Sequence, residues 1–116
     1  MVIIFANRKL ERYANDLSYA QRKLGNNQAI ILHKRLSDLY DAENFSVLLD
    51  LPGHHHPLTA NRSGQWACSL EQPARLIYEP LIPEELAQSK VQIKLIQLVA
   101  LTVVEITDYH DNKNKR

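Results

Sequence analysis

The 116 residues carry 14 Lys and Arg against 13 Asp and Glu, a formal net charge of +1, with 45% hydrophobic and 23% charged residues. A chain of this length holds one hydrophobic core rather than two, and its composition is that of a folded protein, not a disordered one. No apolar run approaches the ~18 residues of a membrane span, and Met1 to Phe5 is too short for the apolar region of a signal peptide, so a cytoplasmic single domain over residues 1–116 is expected. The lone Cys68 has no partner for an internal disulfide and falls at an inward strand position, which predicts a buried, inert thiol.

Val2 to Phe5 is a short β-branched and aromatic run that suits a first strand. Leu10, Tyr13, Ala14, Leu17 and Leu24 then recur at helical spacing, and Gly25 follows as a stop signal, predicting helix over 8–24 with an interruption near Asp16. Asn26 or Asn27 is expected to cap a second helix whose buried stripe is Ala29, Leu32, Leu36, Leu39 and Tyr40. So short a connection requires an antiparallel helical hairpin. A last short helix with Phe45, Leu48 and Leu49 inward stops before Pro52-Gly53.

From Gln65 the period changes to two. Trp66, Cys68 and Leu70 alternate with Gln65, Ala67 and Ser69; Glu71-Gln72-Pro73 turns the chain, and a second strand over 74–79 returns antiparallel. Pro83-Glu84-Glu85 opens a connector with one or two helical turns near 84–89, and the apolar run 98–106 reads as a strand covered on both faces. The sum is an α+β fold, an N-terminal helical hairpin packed on a twisted, mainly antiparallel sheet of about four strands.

Charge and chemistry are unevenly spread. Before Ser37 the basic residues Arg8, Lys9, Arg12, Arg22, Lys23, Lys34 and Arg35 face only Glu11 and Asp16, a bias that suits an anionic partner. The stretch His54-His55-His56-Pro57-Leu58 followed by Arg62, Gly64 and Trp66 puts proton-exchanging and cationic side chains on an irregular segment ahead of a rigid pair of strands. Three adjacent histidines point in different directions, so a metal site is not expected despite the residue type.

The order His56-Pro57-Leu58, Arg62-x-Gly64-Gln65-Trp66, Arg75-Leu76-Ile77-Tyr78 and Val104-Glu105-Ile106-x-Asp108-Tyr109-His110 resembles the HigB-type killer proteins of bacterial toxin–antitoxin modules, in the wider RelE/ParE toxin superfamily. The resemblance implies a ribosome-dependent mRNA endonuclease without metal or other cofactor, in which the RNA's own 2′-hydroxyl attacks the neighbouring phosphodiester. It implies a HigA-like helix-turn-helix antitoxin, contact with ribosome and mRNA, and DNA only indirectly through the antitoxin. By position, His56, Arg75, Asp108, Tyr109 and His110 become the candidate catalytic set; which histidine is base and which acid stays open. Arg75 is expected to hold phosphate oxygens, with an ion pair to a carboxylate such as Glu105 as its structural alternative. Arg62 is expected to anchor backbone phosphate or its own turn, and Arg22, Lys23, Lys34 and Arg35 to contact nucleic acid. Thr59 and Ala60-Asn61 stand where cutting members often carry a lysine and a Gly-Asp pair. A gyrase-directed or antitoxin-binding protein of the same fold is the rival reading.

Overall fold

The computed structural model describes residues 1–88, 90 and 92–107. Strand β1, Val2–Phe5, leads into α1, Arg8–Asn15, whose first turn is capped by Asn7 accepting from the Leu10 amide at 2.9 Å. The expected interruption is real, because Asp16 leaves the helical region and its carboxylate accepts from the Tyr19 amide at 3.0 Å, ending α1 and starting α2, Leu17–Leu24. Gly25, at φ +89, is the whole connection to α3, Asn26–Asp41. Neither asparagine caps that helix as expected; glycine occupies the cap, since only a residue without Cβ takes this φ at little cost. The hairpin of α2 and α3 follows from that one-residue joint.

Ala29, Leu32, Leu36 and Leu39 are buried along α3, but Tyr40 is 46% exposed. Its position lies one step round the helix from Leu39, off the stripe. In the short α4, Phe45–Leu48, Phe45 and Leu48 are fully buried while Leu49, just past the helix, is 55% exposed.

Among the described residues five strands, rather than about four, form one sheet in the order β1-β5-β4-β3-β2. The additional strand is β2, His56–Pro57, two residues too few to show any periodicity. It pairs antiparallel with β3, Trp66–Ser69, which pairs antiparallel with β4, Arg75–Pro80. After α5, Glu84–Ala87, the chain enters β5, Ala100–Thr107, antiparallel to β4 and parallel to β1. One face of this sheet carries Trp66, Cys68, Leu76, Tyr78, Leu101 and Val103 into a core shared with the helices. Burial of so many large apolar side chains, each contributing roughly 1.5–3 kcal/mol, is what holds the layers together. Strand β5 is covered on one face only: Leu101 and Val103 are buried, while Thr102 and Val104 are half-exposed.

Candidate functional site on the open face of the sheet

Sheet register builds the site. His56 on β2 pairs with Ala67, Ala67 with Ile77, and Ile77 with Glu105 on β5. Directly paired residues project from the same face, so His56 and Glu105 share the face opposite the helical core. The neighbouring rung, Ser69, Arg75 and Thr107, lies two residues along and projects the same way. Ala67 and Ile77 form an apolar floor between them. Both are fully buried although they stand outside the core cluster, Ala67 on the face that alternates with Trp66 and Cys68. His56 and Arg75 are both half-exposed, on strands about 10 Å apart at two strand spacings.

A second guanidinium reaches this face from a loop. Leu58 N donates to Gln65 O at 2.8 Å, closing a loop in which Ala60–Arg62 makes one 3-10 turn. From there Arg62 Nη1 donates to Gln65 Oε1 at 2.8 Å and Nη2 forms an ion pair with Glu105. Gln65 Nε2 in turn donates to Glu79 Oε2 at 3.4 Å. Arg62 therefore anchors its own turn, and Glu105 is tied to Arg62.

The three histidines diverge. His54 has a left-handed φ of +56, a conformation costly for a residue with a side chain. His55 is 5% exposed and shares a 2.7 Å hydrogen bond between its Nδ1 and the buried Tyr78 hydroxyl. Its pKa is lowered, first by burial and next by the Arg35 charge; burial likewise raises the Tyr78 hydroxyl. His56 Nδ1–H donates to the His54 carbonyl at 2.8 Å, since a carbonyl can only accept. That contact assigns the lone pair of the neutral ring to Nε2, the nitrogen available as a base.

Beneath the loop, Arg35 Nε–H donates to the Ser69 carbonyl at 2.7 Å, and Ser69 N donates to the Gly53 carbonyl at 2.7 Å. Arg35 thus joins α3, the histidine loop and β3, whereas Arg22, Lys23 and Lys34 are exposed. Asp108, Tyr109 and His110 lie outside the described residues. Among those described, no group of three or more His, Cys, Asp or Glu is placed to hold a metal ion, and no helix is long and apolar enough to cross a membrane. Cys68 is fully buried and its thiol is pushed up to about 12 by burial.

Glu105 entered the sequence reading only as a possible partner for Arg75. Its signal was nevertheless visible, as the one charge inside the apolar run 98–106. Gln65, Tyr78 and His55 carried no comparable mark, because their roles come from cross-strand neighbours.

No protein-family model matches the chain, and no curated protein sequence does. Among solved structures, a YoeB/ParE toxin from Agrobacterium tumefaciens superposes with a TM-score of 0.59 at 12% identity, over 93% of this chain and 98% of that one. Two layers with an open sheet face bearing His56, Arg62, Arg75 and Glu105 are thus built on the fold of a YoeB/ParE toxin.

Proposed function

We propose that this chain is the toxin of a toxin–antitoxin module, of the HigB-like class, and that it cuts translated mRNA on the ribosome without a metal. The observation that carries the reading is the pair of adjacent rungs setting His56 and Glu105, then Arg75, on the sheet face that the helices leave open. The fold likeness to a YoeB/ParE toxin supports it, as does the order of the motifs from His56-Pro57-Leu58 to Asp108-Tyr109-His110.

In the proposed reaction His56 Nε2 takes the proton of the RNA 2′-hydroxyl. The 2′-oxygen attacks the adjacent phosphorus, the bond to the 5′-oxygen breaks, and that oxygen leaves with a proton from an acid assigned to His110 or Tyr109. A 2′,3′-cyclic phosphate and a 5′-hydroxyl end result. Arg75 holds two non-bridging oxygens through its planar fork as charge gathers on them. Glu105 fixes the direction of Arg62, which steadies the strand beside the reacting phosphate. Asp108 would orient an imidazole. A cognate antitoxin, HigA-like and helix-turn-helix, neutralises the toxin and supplies any DNA contact.

Induced expression followed by mapping of RNA 5′ ends tests this. New 5′-hydroxyl ends inside open reading frames, absent with Arg75→Ala, are expected. DNA-damage signalling without new ends would replace this reading with gyrase inhibition.

A further inference from the structure

The helical layer carries a second cationic feature that the catalytic face does not use. A groove of ≈ 480 Å³ runs between the α1–α2 corner and the end of β5, lined by Lys9, Tyr13, Lys23 and Gln28 on the helical side and by Ala74, Glu105 and Ile106 on the sheet side. Two of its sheet-side residues connect it with the candidate site: Glu105 belongs to the His56 rung, and Ala74 immediately precedes Arg75. The groove therefore opens at the same end of β4 and β5 as the Arg75–Thr107 rung.

Its cations are held in place by aromatic rings. Tyr13 and Tyr19 stack with centroids 5.4 Å apart. The Arg12 guanidinium lies 3.8 Å from the Tyr19 centroid, Arg22 and Lys23 lie 5.8 and 5.9 Å from it, and Lys9 Nζ lies 6.0 Å from Tyr13. The nearby acids do not cancel this charge. Glu105 is paired with Arg62, Asp16 caps the Tyr19 amide, and Glu11 lines a different depression with Arg8 on the other side of α1. Tyr13 is only 5% exposed and Arg12 sits on Tyr19, so the rings organise cations and do not offer faces to bases.

We infer that this groove is a track for the sugar-phosphate backbone of a single RNA strand, in which Lys9 and Lys23, flanked by Arg12 and Arg22, hold phosphates beyond the one that reacts at Arg75. Recognition there is independent of base identity, as cation–phosphate contacts carry no sequence information. The inference rests on the proposed reading of the open face for its direction, but its binding step can be measured separately.

The experiment uses the full chain and a fluorescent 12-nucleotide RNA with 2′-O-methyl riboses, which cannot be cleaved, so binding is read whether or not the chain is a nuclease. Dissociation constants across a salt series give the slope of log affinity against log salt. Each phosphate contact to a single strand contributes about 0.7 to that slope. The double variant Lys9→Gln/Lys23→Gln should make the slope shallower by about 1.4, with unchanged circular dichroism. Lys90→Gln, at an exposed lysine that does not line the groove, should leave it unaltered. An unchanged slope in the double variant, or an equal change per charge in Lys90→Gln, overturns the track. Equal binding of a 12-residue polyglutamate, weakened by the same two substitutions, overturns it in favour of an acidic protein partner.

Discussion

Arg62 stands 43 positions before Glu105 in the chain, yet its guanidinium spans from the 3-10 turn to β5, meeting Glu105 Oε1 with Nη2 and Gln65 Oε1 with Nη1 at 2.8 Å. The two side chains are 37% and 42% exposed, so water screens much of their attraction. A double-mutant cycle of Arg62→Ala and Glu105→Gln should give a coupling of only ~0.5 kcal/mol in denaturant melts. Both single variants should nevertheless weaken growth arrest on induction. A coupling several times larger would make the pair a structural clamp.

Arg75→Ala should lower RNA cleavage ~10²–10³-fold, the usual cost of removing a positioned transition-state cation, while leaving the circular dichroism spectrum unchanged. Arg75→Lys should recover part of the loss, because an ammonium keeps the charge without the two-pronged grip. Full activity in the alanine variant removes Arg75 from the mechanism.

His56→Ala should cost ~10²–10⁴-fold in rate, as expected for a proton-transfer group. His56→Gln should fare no better, since an amide lacks a basic nitrogen. Wild-type cleavage in either variant would transfer the base to another residue.

His55 makes stability depend on pH. Its folded pKa lies below the ordinary 6.5 because burial and the Arg35 charge outweigh the opposing pull of the Pro52 carbonyl and the Asp38 carboxylate, with the neighbouring His56 adding to the lowering. The unfolded chain therefore binds a proton that the folded chain refuses. Stability tied to neutral His55 is fully present above pH 6.5 and declines as pH falls towards the lowered value. Melting temperatures should drop between pH 7.5 and 5.5, and His55→Gln should flatten that drop. An identical pH profile in the variant would assign the dependence elsewhere.

Gly53 has φ +106, and a Cβ there would come within 2.4 Å of Arg35 Nε, which cannot swing away without giving up the Ser69 carbonyl. Gly53→Ala should destabilise the fold by ~2 kcal/mol from backbone strain and displaced Arg35, read as a lower denaturation midpoint. A midpoint within error of wild type would show that the histidine loop is not fixed by this contact.

Much of the architecture could be read from residue spacing because the helical and strand periods are set by burial. The break at Asp16, the stop at Gly25 and the switch to period two after Gln65 are all local signals, and the structure follows each of them. What escaped was non-local. Strand β2 exists only because β3 offers it a partner. Ala67 is buried by its neighbours on the open face, not by the pattern of its own strand, and Glu105 acquires its place from a turn 43 residues away. Tyr40 and Leu49 were misread for a simpler reason, that an apolar residue at the margin of a helical stripe can finish in solvent.

The parallel pairing of β1 with β5 sets the order in which this molecule can be assembled. Val2 to Phe5 are made early, but their sheet partners are residues 100–103. A nascent chain that has emerged only as far as Pro80 can pair β2, β3 and β4, yet it lacks the strand that joins them to β1 and brings Glu105 to Arg62. Such long-range closure is slow and comes late in folding. The open face is consequently incomplete until β5 has been made and has left the exit tunnel, when Glu105 first meets Arg62.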